Sequence, residues 1–295
     1  MIGIISYLPD DNELREVRYK AVFETIEFLH RVFSDEVINV VDQNWNASER
    51  EKFDYVRFYC IDNGISLPKA RNLMLEEFYN STDTWMVMSD DDVILYDYYG
   101  AEEFLQLLYQ GEFNNYPMDL IVPLSPQLSP FKQKLLDADV ENYYSFTPSR
   151  LTDIPNFLVL RNAHDHILYN EELDTRTRKE MISEDAEFIM QQMLKGKKCV
   201  VADFMIKKNL AYNNSTIFPE ESQNDYTFHK KLNEALKLYI RKHYNIDSRY
   251  FTKYYNKATS FTIRRKERYI LPENLSTVTK RNRKKQNDTV ARRLF

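Results

Sequence analysis

Four short apolar runs dominate the first third of the chain: IGIISY (2–7), EVINVVD (36–42), YVRFYCID (55–62) and WMVMSD (85–90). Short apolar runs bounded by turn residues read as buried strands. From Asn12 to Phe33, Val22, Ile26, Leu29 and Phe33 recur at helical spacing with charges between them. A second helix is marked by Ala70, Leu73, Met74 and Phe78, from about Pro68 to Tyr79. Pro68 suits its first turn, where a missing N–H costs nothing. The order strand–helix–strand–strand–helix–strand predicts an α/β fold, a mostly parallel sheet flanked by helices. Such sheets hold ligands at the carboxyl ends of their strands. Asp42, Asp62 and the triplet Asp90-Asp91-Asp92 all fall there.

Further along, DLIVPL (119–124), NFLVLRN (156–162) and KCVVADF (198–204) read as strands. Between the first two lies a stretch punctuated by Pro and Ser, expected to be a long loop with a short helix over 131–139. Long loops of this kind often serve as lids or acceptor-binding elements. Ser183 is expected to cap a helix running to Lys195, with Phe188, Ile189, Gln192 and Met193 on successive turns and Gly196 ending it. Residues 220–244 also carry a helical pattern, through Phe228, Leu232, Leu236, Leu238 and Ile240. There is no internal repeat.

At 295 residues, 43% hydrophobic and 29% charged, the chain has the composition of a soluble globular protein with a sizeable core. Its two cysteines, Cys60 and Cys199, provide no disulfide framework; each lies in an apolar run, so buried free thiols in a reducing compartment are expected. Neither a secretory signal nor an uninterrupted apolar stretch of membrane-spanning length is visible. The expected setting is the cytoplasm, that of a host cell if the chain is viral. The last segment differs from the rest: from Thr259 to Phe295 there are 11 Lys/Arg against 3 Asp/Glu, a net of +8, so with −5 overall the remainder carries −13. A basic tail on an acidic body fits an anionic partner such as nucleic acid or anionic lipid, and equally a solvated tail. The abundance of Tyr (21) and Phe (18) beside only 5 Gly is similar to that of large-bacteriophage proteins.

Three adjacent aspartates between apolar runs are costly unless something cationic sits among them. Hard cations such as Mg²⁺ and Mn²⁺ prefer carboxylate oxygens, often taking one or two from protein and the rest from water and phosphates. The triplet read alone fits such a site, and also a turn or a helix cap. Ahead of it stands IDNGISLPKARN (61–72), in which Arg71 near a helix start can meet a pyrophosphate or a pyrimidine edge, Lys69 adds charge, and the helix N-terminus favours anions. The same residues have plainer readings, a tight turn at Asn63-Gly64 and an ion pair at Arg71.

Asn63-Gly64, then Ala70-Arg71-Asn72, then Ser89-Asp90-Asp91-Asp92 resembles the nucleotide-sugar-binding half of family-2-type, GT-A-fold glycosyltransferases. There an aspartate cluster of the DxD kind closes an apolar strand. The segment MISEDAEFIMQQMLKGKKCVVAD (181–203) is similar to the family's acidic pair at a helix start. The resemblance covers roughly residues 1–210. It implies a GT-A (Rossmann-like) mixed sheet and a catalytic domain over 1–212, with 1–100 for the nucleotide sugar and 117–212 for the acceptor side. A helical, basic extension would follow over 213–295. It further implies an inverting transfer from a nucleotide sugar, a UDP-sugar being expected, with Mn²⁺ or Mg²⁺. Asp185 would be the general base with Glu184 beside it, and Asp92 the direct metal ligand. Asp90 would hold the ribose or the metal's waters, with Asp91, Asn63, Lys69 and Arg71 in the donor site. Ser6, Tyr7 and Asp42 match positions that hold the nucleotide base.

The chain departs from the family where relatives place a metal-binding histidine after the strand that follows the acidic helix. It has Lys207, Lys208 and Asn209 there, and lysines can neutralise a leaving diphosphate. His164 and His166 fall on one side of an extended segment with no third ligand nearby, so no metal site is read there. With the basic tail, the favoured acceptor is a hydroxymethylated base in phage DNA. A surface glycan or lipid-linked sugar is the alternative acceptor, and a non-catalytic nucleic-acid-binding protein the alternative class.

Overall fold

The computed structural model of the chain describes residues 1–62, 64–91, 93–96, 100–124, 143–149, 156–173, 184–209, 226–246 and 260–265. In chain order the elements are β1 (Ile2–Tyr7), α1 (Asn12–Val32), β2 (Ile38–Gln43), α2 (Ala47–Arg50), β3 (Val56–Ile61), α3 (Leu67–Asn80), β4 (Trp85–Asp90) and β5 (Val93–Tyr96). Then come α4 (Ala101–Tyr109), β6 (Leu120–Leu124), β7 (Tyr143–Pro148), β8 (Phe157–Arg161), α5 (Glu184–Leu194), β9 (Cys199–Asn209), α6 (Tyr226–Tyr244) and β10 (Phe261–Arg264). The strands form one sheet in the order β10-β7-β9-β6-β8-β4-β1-β2-β3, with β5 paired to β9. Neighbours run parallel from β3 through β2 and β1 to β4, and again between β6 and β9. Antiparallel pairs bring in β8, β7, β10 and β5. The fold is the expected α/β one, a mostly parallel mixed sheet flanked by helices.

Strand residues alternate between two faces, and both faces are apolar. Ile2, Ile4, Ile38, Val40, Trp85 and Val87 gather with Val22, Ile26 and Leu29 of α1 and Phe104 of α4. Ile5, Val41, Met86 and Met88 gather instead with Ala70, Met74 and Phe78 of α3 and Phe188 and Ile189 of α5. Covering on both faces explains why the strands read as near-continuous apolar runs rather than alternating ones. Helix α3 comes close to β1: a Cβ added at Gly3 would sit 2.6 Å from Met74 Cγ, so only glycine fits without a shift.

Local chemistry sets the helix ends. Ser66 caps α3, its Oγ accepting from Lys69 N at 3.3 Å, with Pro68 in the first turn as expected. At the end of α5 Gly196 has φ of 76°. Its N–H donates to Met193 O and that of Lys197 to Gln192 O, a complete Schellman closure. Because β1 to β4 run parallel, Tyr7, Gln43, Ile61 and Asp90 end on one rim. The N-termini of α3 and α5 open on the same rim.

Several expectations are corrected. Residues 143–148, read as loop, form β7 with alternating burial; the pattern YYSFTP is period two, but its Pro and Ser hid it. Strand β9 continues past Phe204 to Asn209, and β5, α4 and β10 were not foreseen. Cys60 is exposed on the edge strand β3, not buried, while Cys199 is buried; both thiols are free. Helix α6 places Tyr239 and Ile240 in the core with α3 and α5, and β10 pairs with β7. Within the stretch expected to be an extension, these described parts thus pack on the sheet and core of the preceding residues. The short helix over 131–139, Ser183 and most of the basic tail lie outside the described residues. Among the described residues, no helix is long and apolar enough to cross a membrane.

Candidate functional site

Arg71, in the second turn of α3, is among the most deeply buried side chains, 1% exposed. Its Nη2 donates to both carboxylate oxygens of Asp90, each at 2.9 Å. Nη1 donates to Asp185 Oδ1 at 2.6 Å and lies 3.5 Å from Glu184 Oε1. One guanidinium therefore joins the end of β4, the start of α3 and the start of α5. Burial acts against its charge, but Asp185 and Asp90 outweigh burial and hold its pKa above the ordinary arginine range.

Three carboxylates share this one cation. Burial pushes Glu184 up to about 8, with the charge of Asp185 adding to the shift and Arg71 opposing it. At neutral pH Glu184 is mainly a neutral acid, and among the described residues its buried Oε2 has no hydrogen-bond partner. Both acids also stand in the first turn of α5, where negative charge offsets the helix dipole. The face of Tyr169 lies against the Arg71 guanidinium, 5.0 Å from Cζ to the ring centroid. Tyr169 in turn stacks on Phe188 at 4.1 Å. Asn72 pins this segment: its Nδ2 donates to Tyr169 O at 2.9 Å and its Oδ1 accepts from Tyr169 N at 2.7 Å.

The neighbouring part of the rim is built differently. Asp91 is buried and accepts from Ser6 Oγ at 3.1 Å, Tyr7 N at 3.0 Å and Arg18 Nη1 at 3.0 Å. Burial raises its pKa, against the pull of Arg18 and the Tyr7 N–H. Asp42, in register with Ser6 across β1 and β2, accepts from Trp45 N at 3.0 Å and Arg50 Nε at 2.5 Å, with Cys60 Sγ at 3.5 Å. Trp45 Nε1 donates to Ser6 Oγ at 3.0 Å. Ser6 and Asp42 are thus internal groups, whereas Tyr7 is 44% exposed at the rim. Lys69 is exposed at the start of α3.

The structure brings together Arg71, Asp90, Glu184 and Asp185 in one cluster and Ser6, Tyr7, Asp42 and Asp91 in another. Asn63 and Asp92 lie outside the described residues. Two of the three aspartates face arginines: Arg71 meets Asp90 and Arg18 meets Asp91. Among the described residues no three His, Cys, Asp or Glu side chains gather as a metal site, and both oxygens of Asp90 are held by Arg71. The described carboxylates therefore do not fit a Mn²⁺ or Mg²⁺ centre by themselves. His166, set aside as a ligand, stacks on Tyr79 at 4.7 Å.

Arg18, Arg50, Asn72 and Tyr169 were not singled out as site residues. Asn72 was legible as the last residue of Ala-Arg-Asn. Arg18 carried no signal, since its partner is 73 positions away.

No protein-family model and no curated protein matches the sequence. Among solved structures, the chain is similar to S. aureus TarS 1–349 in complex with UDP-GlcNAc, with 14% identity and a TM-score of 0.48 over 83% of this chain and 72% of that one. It is also similar to GalNAc-T7 with UDP, GalNAc and Mn²⁺, with 12% identity and a TM-score of 0.44 over 86% of this chain and 53% of that one.

Proposed function

We propose that the chain is an inverting glycosyltransferase that moves a sugar from a nucleotide-sugar donor to an acceptor hydroxyl. One observation carries this reading: the segments holding the three collinear motifs meet through the Arg71 guanidinium, which touches Asp90, Glu184 and Asp185. Asp185 takes the proton of the acceptor hydroxyl as its oxygen bonds to the anomeric carbon. The bond from that carbon to the phosphate oxygen breaks, and the nucleoside diphosphate leaves with the electron pair. Tyr7 and Lys69, exposed on the rim, offer the donor a ring face and a charge. No step is assigned to a divalent cation.

In this reading residues 1–100 serve the donor and 117–212 the acceptor. The net +8 of the stretch from Thr259 to Phe295 favours a polyanionic acceptor, for which a hydroxymethylated base in phage DNA is the proposed case. The test is incubation of the full chain with a panel of nucleotide sugars and hydroxymethylated DNA, followed by mass spectrometry of the nucleosides. A mass increase of one sugar on the modified base is the expected result. Turnover on a glycan or lipid-linked sugar alone would move the acceptor, and salt-sensitive DNA binding without turnover on any acceptor would defeat the enzyme reading.

A further inference from the structure

We infer that Arg71 is a positioning residue that fixes Asp185 relative to the donor side, and not a ligand of the donor's phosphates; this rests on the glycosyltransferase reading above. The guanidinium is 1% exposed, Nη2 is taken by both oxygens of Asp90, and Nη1 by Asp185 at 2.6 Å. Tyr169 lies against it at 5.0 Å. A phosphate oxygen would have to enter a site 1% exposed and compete with carboxylates already in charge-assisted contact with both terminal nitrogens.

Arg71 instead connects two parts of the chain that must act together. Asp90 ends β4, and Asp185 begins α5, 114 positions beyond Arg71. Sheet pairing does not align the start of α5 with the end of β4; a rigid planar fork bonded to both does. A base misplaced by about 1 Å can lose on the order of 10²-fold in rate. The bond also keeps a positive charge 2.6 Å from Asp185, a charge-assisted contact that holds the carboxylate in place. Asn72 holds the Tyr169 segment from the same helix turn, so α3 carries both the fork and the support for its ring partner.

The test uses the full chain as wild type, Arg71→Lys and Tyr169→Leu, with UDP as the binding probe. Isothermal titration gives the UDP Kd, and steady-state sugar turnover gives kcat and donor KM. In Arg71→Lys, kcat is expected to fall about 10²-fold. UDP Kd and donor KM should stay within about twofold, the signature of an interaction that matters only in the transition state. Tyr169→Leu should lower kcat in the same direction, by about tenfold, with Kd again unchanged. Should the lysine variant fail to unfold cooperatively, Tyr169→Leu decides the matter. UDP affinity that weakens in step with kcat would make Arg71 a phosphate ligand, and wild-type kcat in both variants would leave it no role in turnover; either result overturns the inference alone. Wild-type protein that neither binds UDP nor turns over a nucleotide sugar overturns the functional reading, and this inference with it.

Discussion

The two halves of the rim solve the same electrostatic problem in opposite ways. On the side of β1 and β2, each buried aspartate has its own arginine and local donors: Asp91 has Arg18, Ser6 and the Tyr7 N–H, and Asp42 has Arg50 and the Trp45 N–H. On the side of α3 and α5, three carboxylates share one guanidinium, and Glu184 keeps a buried oxygen with no hydrogen-bond partner among the described residues. A matched pair rigidifies what it joins. An unmatched cluster is destabilising, and an imbalance of this kind is common where a group must gain or lose a proton. On the glycosyltransferase reading proposed above, the first half is a scaffold that shapes the end of β1 and the second holds the proposed base.

Substitutions can break or sharpen that contrast. Asp185→Asn should have the largest effect, a loss of about 10³-fold in kcat with donor KM nearly constant, measured by sugar transfer; retained turnover would remove Asp185 from the chemistry. The Arg71 and Tyr169 variants rank next. Asp91→Asn belongs to the scaffold half and should cost about 1–3 kcal/mol of stability in urea unfolding, because it weakens a buried, charge-assisted network. A drop in turnover without any loss of stability would mean that the balanced half is not merely a scaffold.

Glu184→Gln tests the unbalanced half through pH. Between 4.5 and about 8 the folded protein keeps a proton on Glu184 that the unfolded chain has released. The contribution of this group to stability is therefore fully present below 4.5 and is lost as pH rises towards 8. Glutamine does not titrate, so the variant should gain on wild type across that window and run parallel to it below 4.5 in urea midpoints. Parallel curves throughout would place Glu184 in an ordinary solvated state. Lys69→Ala should have the smallest effect, a stability change within about 0.5 kcal/mol for an exposed side chain. Its donor KM should rise severalfold; an unchanged KM would take Lys69 out of the donor site.

Much of the molecule was legible in local pattern. The runs at 2–7 and 85–90 appear as strands with those bounds, and α1 begins at Asn12 as its periodicity predicts. β7 was missed because Pro148 and two serines nearby resemble loop chemistry, although its partners satisfy the backbone. Cys60 was misjudged because an apolar neighbourhood in sequence does not reveal that β3 is an edge strand, a fact of sheet order. The acidic and basic site motifs were visible because residue type and spacing along one strand or helix start fix which groups face the same rim.

The sequence by itself determined the alternation of strands and helices, the apolar faces, and the presence of aspartates at the strand ends. These follow from short-range periodicity, which the backbone enforces within a few residues. Asp42 meets Arg50 only eight positions on, but which cations neutralise Asp91 and Asp185 was decided by tertiary structure alone. Arg71 meets Asp185 across 114 positions and Arg18 meets Asp91 across 73, and only the docking of α1, α3 and α5 on the sheet brings those side chains within bonding distance. Asp90 and Asp91 thus sit among arginines supplied by two helices that pack on opposite faces of the sheet.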